Sequence, residues 1–224
     1  MPEDELGPLP AGRHGYSREQ VAHHQRERLI AGLAAAVAAK GYAGVTLTDI
    51  TREAKVSRRV FYENFESKEE CFLAAFEVVV DHLRQLVAEA VAAIPDWPQR
   101  AVAATRAVLA FFASEPNLAG LCLVESRGAG PLVAARFNRA IAELAPLLRQ
   151  GRLERENEGD RPLPDSTEDS ILGSLVSLVF RQVAAGEAEQ LEELLPTCTE
   201  FVLGPYLGPD QASRLASEAL SSSP

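Results

Sequence analysis

Residues 46–68, TLTDITREAKVSRRVFYENFESK, restrict the possible folds of this chain more than any other stretch. Thr46 has the chemistry of an N-cap, and the spacing after it predicts a short helix over about Leu47–Ala54 with Ile50 and Ala54 facing inward. Lys55-Val56-Ser57 then breaks the pattern as a turn. A second short helix is expected over Arg58–Asn64, with Val60 and Phe61 as its packing residues. Ser67 and Glu70 have the spacing of a capping box and open a further helix. Two short helices joined by a tight turn, with an arginine pair at the start of the second, have the layout of a helix-turn-helix.

The rest of the chain reads as helix as well. Ser17 and Gln20 form another capping box, and Val21, Leu29, Ile30, Leu33, Ala34 and Val37 lie on one stripe of a helix ending near Gly41. Phe72, Leu73, Phe76, Val79, Val80, Leu83, Leu86 and Val87 carry the helix after Ser67 to about Ala93, before Pro95 and Pro98. Further helices are expected over about 98–113, 116–125, 131–150, 167–184, 187–203 (bent or interrupted at Pro196) and 209–220, with a polar loop over 151–165. No strand-like alternation persists, so the expected class is all-α. The expected organisation is a flexible arm over 1–16, a helix-turn-helix domain over 17–66 and a larger helical domain over 67–224.

Charge is unevenly distributed. The chain carries −10 overall, yet residues 13–70 hold ten Lys/Arg against eight Asp/Glu, and residues 71–224 hold twelve against twenty-one. A weakly basic head on an acidic body suits a nucleic-acid reader with an attached regulatory part. Cys71, Cys122 and Cys198 are far apart, and neither they nor the four histidines have metal-ligand spacing, so no metal and no cofactor are expected. The first fifteen residues lack the basic and apolar regions of a signal peptide, and the expected location is cytoplasmic. No Ser/His/acid grouping, paired-His helix or phosphate-cradling glycine loop points to an enzyme.

A helix lying in the major groove needs donors that reach base edges and neighbours that hold phosphates. Arg58 and Arg59 are the candidates for the O6/N7 edge of guanine. Ser57 and Tyr62 are candidate phosphate donors, and Thr48 and Lys68 lie where flanking phosphates would pass. Phe61 either packs into the head or touches a thymine methyl.

The segment from about Gln25 to Phe76 resembles the DNA-binding domain of the tetracycline repressor (TetR) family. The resemblance rests on Gly41-Tyr42, Thr46 with Ile50, Val56-Ser57, Tyr62 with Phe65, and Ser67-Lys68-Glu69, in order and at the family's spacing. It implies that Thr48, Ser57, Arg58, Tyr62 and Lys68 face DNA; Arg59 is added from its chemistry alone. The chain departs from the family where Arg59-Val60 replaces the common Gly-Thr and where Lys55 replaces a small turn residue.

The resemblance also implies a helical body that binds a small effector and pairs into a homodimer on a palindromic operator. It makes a repressor the default; the joining of this head to a larger acidic body leads to the expectation that effector binding tilts the helix after Ser67. Trp97, Phe111, Phe112, Leu121, Leu123, Phe137 and Phe180 are candidate apolar lining, with Arg106, Glu125 and Arg181 as polar anchors. The segment 167–184 is too apolar for a helix with an exposed face, so Leu172, Leu175, Val176 and Val179, with Phe201 from the following helix, are candidates for the dimer interface. The competing reading is a helical adaptor whose arginine pair grips an acidic protein.

Overall fold

The computed structural model describes residues 17–157 and 162–221. The arm expected over 1–16 lies outside them. Every regular element among the described residues is helical: α1 (Arg18–Gly44), α2 (Leu47–Glu53), α3 (Arg58–Asn64), α4 (Lys68–Val91), α5 (Trp97–Ser114), α6 (Pro116–Ala119), α7 (Pro131–Ala142), α8 (Ala145–Asn157), α9 (Thr167–Ala184), α10 (Leu195–Leu207) and α11 (Pro209–Ser221). A π-helical turn, Gly120–Val124, and two 3-10 segments, Glu125–Gly128 and Ala188–Leu194, complete the set. The described residues form two compact units, one of those up to Val78 with Glu125–Ala134, the other of Val79–Val124 with those from Ala135 onward.

In the first unit the caps form as the sequence predicts. The Ser17 hydroxyl oxygen accepts from the Gln20 amide at 3.1 Å, and Gln20 Oε1 accepts from the Ser17 amide at 2.8 Å. α1 passes beyond its expected end because Gly41 leaves the helical region at φ 67°, a conformation that costs glycine little, and one more turn follows. Leu29, Leu33, Ala36 and Val37 of α1, Ile50 of α2, Phe61 and Phe65 at α3, and Phe72 and Phe76 of α4 are all buried. Burying one such large side chain contributes about 1.5–3 kcal/mol.

In the second unit three expectations change. The helix expected over 131–150 is two helices, because Pro146 cannot donate to the carbonyl of Ala142 and its ring crowds that carbonyl. The loop expected from 151 is helical as far as Asn157. Its polar sequence hides a packed face: Gly151 is buried, and a Cβ there would run into the Trp97 indole. The helix expected from 187 opens as a 3-10 segment, and α10 starts afresh with Pro196 in its first turn. The core of this unit gathers Trp97, Leu148, Ile171, Leu172, Leu203 and Tyr206. No single helix among the described residues is long and apolar enough to cross a membrane.

All three cysteines are free and buried. Burial pushes the Cys71 and Cys122 thiols up to about 12 and Cys198 up to about 11. The thiolate is the reactive form, so the folded protein at pH 8 is expected to react negligibly with a disulfide reagent over minutes and to titrate all three thiols after denaturation. Prompt release of even one equivalent from native protein would contradict this.

Candidate nucleic-acid interface

The α2–turn–α3 segment is held by groups from α1. Asp49, at the third position of α2, is 5% exposed and makes a capping box with Thr46, whose amide and hydroxyl donate to Asp49 Oδ2 at 3.0 and 2.7 Å. Lys40 from α1 donates to Asp49 Oδ1 at 2.6 Å. These bonds, the one from Lys40 first, hold the Asp49 carboxyl well below the usual carboxylate range. The turn after α2 places Lys55 at φ 53°, in the left-handed region unusual for a residue with a side chain. The buried Arg28 of α1 stabilises it by donating to the Lys55 carbonyl at 2.9 Å. Arg26 donates to the Asn64 carbonyl at 3.2 Å and lies 4.3 Å from the centroid of the Phe65 ring, fixing the end of α3.

This frame leaves one strip of α3 facing outward. Arg58, Arg59, Tyr62 and Glu63 are exposed, while Phe61 is fully buried. The Ser57 hydroxyl oxygen caps α3 by accepting from the Val60 amide at 3.3 Å. Arg58 Nη2 donates to Thr48 Oγ1 at 2.6 Å, so α2 supports the side chain that begins α3. Arg59 Nε donates to Glu63 Oε1 at 2.8 Å along the same helix. Tyr62 is 60% exposed. Thr48, Ser57, Arg58, Arg59 and Tyr62 are thus brought onto the open side of one short motif.

Two residues expected with them lie elsewhere. Phe61 packs inward, 5.8 Å between ring centroids from Phe65, and has no surface for a base. Lys68 turns back to α1, donating to the carbonyls of Tyr42 and Val45 at 2.8 and 2.9 Å with its ammonium 4.0 Å from the centroid of the Tyr42 ring. Two of its three ammonium donors are therefore engaged by helix-end carbonyls, a tie that favours the loop Tyr42–Val45. Glu63 is the site residue that the sequence reading passed over. Its signal was the four-residue spacing from Arg59.

Residues 29–75 match the model of bacterial regulatory proteins of the tetR family. Over residues 29–75 the chain is similar to that family. Solved structures share its fold. FadR from Bacillus subtilis, in complex with stearoyl-CoA, is 17% identical with a TM-score of 0.69 over 81% of this chain and 98% of its own. The fatty acid degradation regulator FadR from Bacillus halodurans is 18% identical with a TM-score of 0.70 over 80% and 95%. A putative TetR-family regulator from Syntrophomonas wolfei is 17% identical with a TM-score of 0.67 over 83% and 98%.

The candidate effector residues of the chain are mostly packed. Trp97 is 2% exposed, donates from Nε1 to the Leu147 carbonyl at 2.7 Å and meets Tyr206 edge-on. Phe111 and Phe112 are buried against each other, with His82 at the edge of Phe111. Leu121 and Leu123 are buried in the π-helical turn, and Phe137 and Phe180 are half-buried. Arg106 Nη2 donates to the Ala219 carbonyl at 2.5 Å and so ties α5 to α11. Glu125, expected as an anchor in the body, belongs to the N-terminal unit and accepts from the Tyr42 amide at 2.6 Å. Arg181, the remaining candidate anchor, borders a surface groove with Ser170 and Phe201, whereas the other candidates line neither that groove nor another at Arg149–Glu168.

The dimer candidates divide similarly. Leu172 and Val179 are buried inside the unit and Leu175 packs on its core, so this apolar helix is covered on that side without a partner. Val176 is half-buried. Phe201 is 48% exposed and borders the second groove with Ser174, Ser177, Leu178 and Arg181.

Proposed function

We propose that this chain is a TetR-family, sequence-specific DNA-binding transcriptional regulator. It acts as a homodimeric repressor on a palindromic operator and is released when a small apolar effector binds its C-terminal unit. The observation that carries this reading is the outward strip of donors Thr48, Ser57, Arg58, Arg59 and Tyr62 on a helix-turn-helix braced from behind by Arg26, Arg28 and Asp49. Side chains at the start of such a helix enter the major groove, and two-fold readers meet half-sites about 34–36 Å apart. The exposed Phe201 and the outer side of α9 support pairing through that face.

The stearoyl-CoA complex of Bacillus subtilis FadR makes long-chain acyl-CoA the first effector class to test. Around Trp97, Phe111 and Phe112 the unit is closely packed, so an acyl tail would enter only as helices part. An effector that favours the parted arrangement over the DNA-competent one shifts the population toward release.

Selecting bound duplexes from a random pool tests this directly. The expected result is a two-fold symmetric site whose binding weakens with added salt and with acyl-CoA. On that site Arg58→Ala is expected to lose about 1–3 kcal/mol and to relax one base position in each half-site. Uniform weakening on every sequence would mean that Arg58 holds only phosphate. Salt-insensitive binding with no sequence preference would favour the protein-adaptor reading instead.

A further inference from the structure

We propose that Glu63 is a positioning residue for specificity: it holds Arg59 by Nε so that the terminal Nη1/Nη2 fork is presented to one guanine and kept off the phosphates. The proposal rests on the DNA-binding function inferred above and adds to it a residue that reaches the base through another side chain.

The geometry is that of a clamp. Arg59 and Glu63 are one helical turn apart on the outward strip of α3, with 87% and 49% of their side-chain surfaces exposed. Their bond is 2.8 Å and engages Nε alone. A guanidinium held at Nε still has both terminal nitrogens in one plane, and that pair matches guanine O6 and N7. Exposed ion pairs of this spacing contribute little to helix stability. A carboxylate on a surface facing polyphosphate also weakens binding to every duplex. Glu63 is therefore costly to general affinity, and its gain lies in fixing where Arg59 points. An unclamped arginine swings freely and pairs with phosphate as readily as with guanine. The neighbouring Arg58 shows the contrast, since its partner Thr48 carries no charge.

The test is fluorescence anisotropy of the full chain. The duplexes are its selected site, single-base-pair variants of that site and a random duplex, each across a salt series. Wild type is compared with Arg59→Ala, Glu63→Ala and Glu63→Gln. Arg59→Ala is expected to erase the preference at one G·C pair per half-site. Glu63→Ala is expected to reduce the preference at that same pair at least about fivefold, the size of a lost bidentate base contact. It should also bind random duplex more tightly, with a salt slope steeper by about 0.9 for each phosphate that Arg59 gains. Glu63→Gln, which keeps the acceptor and drops the charge, should retain most of the base preference and still gain random-duplex affinity. Thermal unfolding of the exposed-site variants should match wild type.

Equal weakening on all duplexes, or effects of the two alanine variants at different base pairs, overturns the proposal while leaving the DNA-binding function intact. Wild type that selects no duplex at low salt fails at the earlier step and removes the function itself.

Discussion

Phe61→Ala is expected to cost about 3–5 kcal/mol of stability in the N-terminal unit and to abolish DNA binding by loss of the fold. Phe61 is the one fully buried residue of the seven-residue α3. Its ring meets Phe65 at 5.8 Å and Tyr62 edge-on at 5.6 Å between centroids. A helix of two turns has no independent stability, so its position depends on this anchor and on the Arg26 and Arg28 bonds behind it. Circular dichroism through a thermal ramp measures the loss. The adjacent Tyr62, 60% exposed, supplies the control: Tyr62→Ala should melt close to wild type and lose DNA affinity. A Phe61→Ala protein that melted with wild type and lost one thymine preference would put this ring on DNA.

The helix-turn-helix was legible because its signals are local. Ser17 with Gln20, Thr46, Ser57 and Ser67 mark helix starts by side-chain chemistry that acts within three residues, and each of these helices begins where its cap stands. The period of Leu29, Leu33 and Val37 identified the buried face of α1 for the same reason. The arginine pair was visible as donors at the start of a short helix, and Thr48 and Tyr62 share its exposed side.

What failed to show in the sequence depends on partners distant along the chain. Lys68 is basic and follows the motif, yet its ammonium is engaged by carbonyls twenty-six and twenty-three residues back. Glu125 is separated by eighty-three residues from the Tyr42 amide that it accepts from, and no local pattern connects them. The aromatic residues of the body carry no mark that separates lining from core: Trp97 and Phe112 are both 5% exposed or less, each with ring partners of its own. The apolar run in α9 is divided in the same way, with Leu172 and Val179 buried in the unit and Phe201 of the following helix exposed. A polar run misleads in the opposite direction. GRLEREN reads as solvated, but Gly151 lies under Trp97, and Arg152 and Arg155 reach inward to bond.

Arg152→Ala is expected to produce a comparable loss in the C-terminal unit, about 3–5 kcal/mol, because it leaves a buried carboxylate without its cation. Arg152 donates through Nε and Nη2 to the two oxygens of Glu168 at 3.0 and 2.8 Å. It also donates to the carbonyls of Leu163 and Pro164 at 2.7 Å each. Glu168 is 5% exposed, and its Oε1 accepts from the Tyr206 hydroxyl at 3.2 Å. One guanidinium thus joins α8, the segment before α9, and α9, with α10 reached through Tyr206. The hydrogen bond from Arg152 is the main cause that holds the Glu168 carboxyl below its ordinary value of 4.5, against the opposing effect of burial. A depressed carboxylate contributes stability above its unfolded pKa and loses it as the pH falls through the folded one. Wild type should accordingly keep this contribution above the ordinary value of 4.5 and lose it as the pH falls below that value. Without Arg152, burial is left to raise the Glu168 pKa, so the variant is least stable relative to wild type near neutrality and the gap narrows on acidification. Urea unfolding at pH 7 and pH 5 measures both values, and Glu168→Gln placed on the Arg152→Ala background should recover part of the loss by removing the stranded charge. A gap under about 1 kcal/mol at pH 7, the range of an exposed pair, or one that widened toward pH 5, would show that the Arg152–Glu168 pair is no more than a surface contact.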